Sequence, residues 1–95
     1  MKQAVQRKTL DGSWTPFTFG SASVRFFVKN FSNGAIFVSF KNNDSEAESV
    51  KIMSMMAENV AVCFNGNNYP EARVDTIYVK GSGEVEVQAI DAFAE

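Results

Sequence analysis

The chain has no histidine, so the side chain most used as a general base near neutral pH is missing, together with Ser-His and Cys-His nucleophile pairs. Its single cysteine, Cys63, excludes an internal disulfide framework. A domain this small that works in an oxidising space often relies on such a framework, which makes a reducing compartment the expectation. Apolar runs are short, Val60–Phe64 being typical, and Met1-Lys2-Gln3 leads into polar sequence. Neither a membrane span nor a signal peptide is expected. With a formal charge of −2 there is also no basic surplus, and nucleic acid is not an expected partner.

What is present is strand-forming sequence. The 95 residues include nine Phe and are 45% hydrophobic and 21% charged, values suited to one globular domain with a modest core. Polar and apolar residues alternate in runs broken every 8–12 residues by Gly, Asn, Asp or Pro, the spacing expected of an antiparallel sandwich or small barrel with seven or eight strands. Pro16 confines the segment around Trp14–Phe19 to an edge or an irregular strand, because proline cannot donate to a ladder. Asn42–Glu48 reads as a surface loop, and Met53–Glu58 as a tight bend or one helical turn.

Two segments read as β-hairpins with three-residue loops. Around Gly81-Ser82-Gly83, Val79 would face Val85, Ile77 would face Val87 and Lys80 would lie opposite Glu84. Around Ser32-Asn33-Gly34, Val28 would meet Val38 and Phe26 would meet Phe40. A two-residue loop would mix core and solvent faces in either case. This register places Tyr78, Lys80, Glu84 and Glu86 on one outer face, and Phe27 and Phe37 near each other on another that a second layer or a partner must cover.

Charge is distributed unevenly along the chain. Residues 1–41 sum to +5 and residues 42–95 to −7. Either the halves interleave and neutralise locally, or a bipolar surface docks with copies of itself.

Chemistry-bearing constellations are few. Cys63 lies in an apolar strand with no basic neighbour to lower its pKa and reads as a packed, inert thiol. Glu84 and Glu86 face the same way, as residues on any solvated strand do, and do not by themselves make a glycosidase pair. Asn43, Asp44, Glu46 and Glu48 offer oxygen ligands in one loop, but the Gly-containing EF-hand pattern is missing. No metal, cofactor or enzymatic activity is expected. For binding, Trp14, Tyr69 and Tyr78 are the candidates, as aromatic side chains that stack sugars or anchor interfaces. Met53, Met55 and Met56 read as gap-fillers in the core, with an adaptable contact surface as the alternative.

The segments Val28-Lys29-Asn30-Phe31-Ser32-Asn33-Gly34-Ala35-Ile36-Phe37-Val38-Ser39-Phe40 and Asp75-Thr76-Ile77-Tyr78-Val79-Lys80-Gly81-Ser82-Gly83-Glu84-Val85-Glu86-Val87-Gln88 resemble small structural proteins of tailed phages and prophages. In those proteins "K-N-x-S … I-x-V-S" and "I-Y-V-K-G-x-G-x-V-x-V-Q" bracket one β-sandwich. The resemblance covers roughly residues 23–91 and implies a non-enzymatic virion component, either a head decoration, a fibre-associated module or a tail accessory piece. The expectation is therefore an all-β chain forming one domain over 1–95, an antiparallel β-sandwich of jelly-roll type, with 1–20 as an arm or edge strand. It would be made in the bacterial cytoplasm and would join a homo-oligomer and other virion proteins, with no membrane partner. Phe27, Phe37, Tyr78, Lys80, Glu84 and Glu86 are its expected interface residues. The alternative is a carbohydrate- or ligand-binding module using Trp14 with Tyr69 or Tyr78.

Overall fold

Period-two alternation buries every second residue through most of the chain, and in the computed structural model each such run is a strand. The structure describes residues 5–23, 25–61 and 74–90. Among them are eight strands: β1 (Val5–Asp11), β2 (Thr15–Ser23), β3 (Arg25–Asn30), β4 (Ile36–Ser39), β5 (Val50–Ile52), β6 (Ala57–Ala61), β7 (Val74–Lys80) and β8 (Ser82–Ile90). The Asn42–Glu48 loop contains one 3-10 turn, Glu46–Glu48, and no helix among the described residues is long and apolar enough to cross a membrane.

The strands form two four-stranded sheets, ordered β1-β8-β3-β6 and β2-β7-β4-β5. All their pairings are antiparallel. Phe17, Phe26, Val28, Ile36, Ile77, Val79, Val85 and Val87 are fully buried, and residues of both sheets belong to one core cluster. Each such side chain contributes about 1.5–3 kcal/mol by leaving water.

Neither expected hairpin forms. β7 pairs with β2 and β4, whereas β8 pairs with β1 and β3. β3 pairs with β6 and β8, and β4 with β5 and β7. At both places the chain arches from one sheet to the other. Residues expected to face each other across a ladder instead belong to the shared core: the Phe26 and Phe40 rings meet there with centroids 5.9 Å apart.

The arches at residues 12–14, 31–35, 53–56 and 81 stack side by side at one end of the molecule. The Gly12 amide donates to the Gly81 carbonyl at 2.7 Å, and the Phe31 amide to the Glu84 carbonyl at 3.0 Å. Gly83 has φ +118°, and a Cβ there would come within 2.5 Å of the Ser32 Cβ. The close approach of two arches thus requires glycine.

Asn30 ties the stack together from inside. It is 1% exposed. Its Nδ2 donates to the carbonyls of Gly34, Ile52 and Met53 at 2.8, 3.1 and 3.1 Å. Its Oδ1 accepts from the Ser32 amide and hydroxyl at 2.9 and 2.6 Å. One amide side chain therefore satisfies buried backbone from two neighbouring arches, groups that would be costly if left unpaired.

β1 and β2 are edge strands, as Pro16 requires of its own segment. The seam between them is closed by side chains. Lys8 Nζ donates to the Pro16 carbonyl and Gln6 Nε2 to the Thr18 carbonyl, both at 2.6 Å. Edge carbonyls that would otherwise invite a foreign strand are capped in this way.

Candidate functional site

The six expected interface residues divide between the two outer faces of the molecule. Alternation in β8 and β3 turns Glu84, Glu86 and Phe27 outward from the β1-β8-β3-β6 sheet. Alternation in β7 and β4 turns Tyr78, Lys80 and Phe37 outward from the other sheet. Tyr78 is thus not a neighbour of Glu86, Lys80 does not lie opposite Glu84, and Phe27 and Phe37 do not share a face. The physical reason is the arching of β7 into β8 and of β3 into β4.

On the first face, register places Arg7, Glu86 and Lys29 in one row across β1, β8 and β3. Arg7 Nη2 lies 2.8 Å from Glu86 Oε1, Lys29 Nζ 3.2 Å from Glu86 Oε2, and Arg7 Nε 3.7 Å from Glu84 Oε2. The hydrogen bond from Arg7, followed by that from Lys29, holds the Glu86 carboxyl below its ordinary pKa. The same Arg7–Glu86 hydrogen bond raises the Arg7 guanidinium. Lys29 Nζ also sits 5.6 Å from the centroid of the Phe27 ring, within cation–π reach. Arg7 and Lys29 come from the basic half of the sequence and Glu84 and Glu86 from the acidic half. On this face the charge asymmetry neutralises between adjacent strands.

The second face gathers aromatic side chains. Phe37 pairs with Lys80 on one side and Lys51 on the other, and Pro16 pairs with Tyr78. Trp14 immediately precedes Thr15 of β2, whose register partner is Val79 of β7. Lys80 Nζ is 3.1 Å from Glu46 Oε2 of the β4–β5 connection. Trp14, Phe37 and Tyr78 are each half-buried. Of the three candidate ligand-binding aromatics, Trp14 immediately precedes β2 and Tyr78 lies on the β7 strand that pairs with β2; Tyr69 lies outside the described residues, as does Cys63.

Sequence reasoning missed a third surface, the arch end itself. Met53, Met55 and Met56 are not core residues: they are 55%, 65% and 57% exposed, with Phe31 at 43%. The bend is a tight turn in which the Met56 amide donates to the Met53 carbonyl at 3.1 Å. None of the arch residues 12–14, 31–35, 53–56 and 81 carries an ionisable side chain, in a chain that is 21% charged. A depression of about 510 Å³ opens here between Phe31, Asn33, Gly34 and Ser82, with the carboxylate-bearing Glu84 also in its lining. Concentration of three of the four methionines in one four-residue segment was the available signal. Composition favoured the core, where methionine usually lies, over the contact-surface alternative that their exposure fits.

Among the described residues no group of three or more Cys, Asp and Glu side chains converges as a metal site. Comparison with known proteins returned no matching family model, no matching curated protein and no matching solved structure.

Proposed function

We propose that the chain is a β-sandwich of jelly-roll type that serves as a non-enzymatic structural component of a phage or prophage virion, acting through contacts with copies of itself and with other virion proteins. Sheet orders β1-β8-β3-β6 and β2-β7-β4-β5 support the topology, because every consecutive strand pair except β4–β5 changes sheet. Such alternation is what two interleaved Greek keys would produce, an arrangement frequent in capsid and lectin domains.

The observation that carries the functional reading is the aromatic outer face of the β2-β7-β4-β5 sheet. Phe37 lies opposite Lys80 there and Tyr78 two residues from it on β7, Trp14 leads into the neighbouring β2, and Trp and Tyr are the commonest anchors of protein interfaces. Quantitative mass spectrometry of purified particles tests the class: the protein is expected at a fixed copy number, and particles that never contain it overturn the reading. Sedimentation at micromolar concentration tests self-association. Only monomer, at low and at moderate salt, removes the homo-oligomer, while the particle measurement still decides virion membership.

A saccharide-binding module is the second reading. It is favoured by the β2–β7 pairing, which puts Trp14, immediately before β2, next to the strand that carries Tyr78, two rings of the kind that stack on sugars. Saturable quenching of Trp14 fluorescence by a neutral polysaccharide would support it, and an unchanged spectrum across a polysaccharide panel would end it.

A further inference from the structure

The Met53–Met56 turn combines three features that apolar packing does not explain. Its three methionines are more than half exposed, although methionine is among the residues most often buried. Met55 has φ +63°, a left-handed conformation that a long side chain occupies at a cost and that glycine or asparagine would fill more readily. The turn backbone is nevertheless held in place: Asn30 Nδ2 donates to the Met53 carbonyl at 3.1 Å, the Asn30 amide to the Met56 carbonyl at 2.9 Å, and the Ser54 hydroxyl to the Ser32 carbonyl at 2.6 Å. A strained backbone kept by its surroundings is a pointer to function.

We propose that Met53, Met55 and Met56 form a site for a soft monovalent metal ion, Cu(I) or its analogue Ag(I). Thioether sulfur is neutral at every pH, soft and polarisable, and it selects Cu(I) over the harder divalent ions. The ends of a four-residue turn lie within about 7 Å of each other, so two flexible thioethers reach a common point from Met53 and Met56. Met55, at the corner of the same turn, would supply a third through rotation of its long, flexible side chain. Three neutral sulfur donors suit trigonal coordination of a d10 ion that imposes no strong geometry. Calcium and magnesium need oxygen ligands, and the turn offers no carboxylate; zinc needs thiolate or imidazole, and the turn has neither. Phe31, exposed on the adjoining arch, is the nearest aromatic in sequence to the Asn30 anchor.

An apolar docking patch is the competing explanation, and leucine separates the two because it keeps the hydrophobic surface and removes the sulfur. The experiment uses the full chain with Cys63→Ala, so that a thiolate does not capture the metal. Ag(I) is titrated first as a redox-inert probe, then Cu(I) kept reduced by ascorbate without oxygen, with methionine methyl resonances followed by NMR. The expected result is one equivalent bound, with the methyls of Met53, Met55 and Met56 shifting together and Met1 unmoved. In competition against a Cu(I) chelator, Met53→Leu or Met56→Leu should weaken binding at least tenfold, and the triple leucine variant should abolish it. Methyl resonances that stay put at tenfold excess Ag(I) overturn the proposal. So does a triple leucine variant that binds as the parent does.

Discussion

Gly83 rests directly against Ser32: a Cβ added to the glycine would lie 2.5 Å from the Ser32 Cβ and 3.2 Å from its Cα. The contact joins two arches that are distant in sequence, and Gly83 also has φ +118°. Gly83→Ala therefore combines steric overlap with a backbone conformation that alanine rarely adopts. A loss of about 2–4 kcal/mol is expected, which for a domain of this size lowers Tm by roughly 10 °C or more. Thermal unfolding followed by circular dichroism checks this, and a Tm within about three degrees of the parent would show that the arches separate at little cost.

Asn30 should be less replaceable than any apolar residue of similar volume. Asn30→Ala leaves the Ile52 and Met53 carbonyls and the Ser32 amide without their side-chain partner, while the Gly34 carbonyl keeps only the Ser32 hydroxyl. The expected cost is about 3 kcal/mol by urea denaturation. Amide exchange should rise at Ser32 and across the 53–56 turn before it rises in the strands. Uniform loss of protection throughout the molecule would mean that Asn30 supports the whole fold and not this end in particular.

Protonation of Glu86 provides a pH-dependent test. Its folded pKa lies below the ordinary value, first because Arg7 donates to it and then because Lys29 does. A depressed folded pKa means that the unfolded chain takes up the proton first as pH falls. The contribution is complete above the unfolded pKa of about 4.3 and disappears as pH drops through the folded one. Glu86→Gln should cost about 1 kcal/mol at pH 7, and the difference from the parent should shrink steadily between about pH 5 and pH 3. A difference that is constant with pH would assign the effect to packing.

Met55→Gly should behave in the opposite sense to Gly83→Ala. Removing the side chain relieves the left-handed strain at φ +63° but gives the unfolded chain more freedom. Stability is expected to stay level or rise by up to about 1 kcal/mol. Soft-metal binding should fall in the same variant. A clear loss of stability would show that the Met55 side chain packs usefully in the folded protein.

Alternation made the inward set readable from residue types alone. Val28, Val38, Ile77, Val79, Val85 and Val87 are all at most 1% exposed, as their spacing required, because a period of two assigns each residue to a side whichever strand lies next to it. The edge position of β2 was legible from Pro16 for a similarly local reason, the missing N–H. The role of Asn30 was not legible, since an asparagine beside a Ser-Asn-Gly loop looks like ordinary turn chemistry; only the approach of the 53–56 arch makes it a buried hub.

Strand partnership was decided by tertiary structure. Backbone N–H and C=O groups carry no residue identity, so the same alternating sequence satisfies a hairpin ladder or an arch that sends its second strand to the opposite sheet. Glycines at 81 and 83 permit either. What selects the arch is long-range: β8 finds β1 and β3, β7 finds β2 and β4, and Gly83 is needed because Ser32 arrives beside it. The candidate surfaces follow from that choice. Tyr78 and Glu86, eight residues apart in sequence, lie on opposite faces, while Pro16 and Tyr78, from distant parts of the chain, are register partners on one.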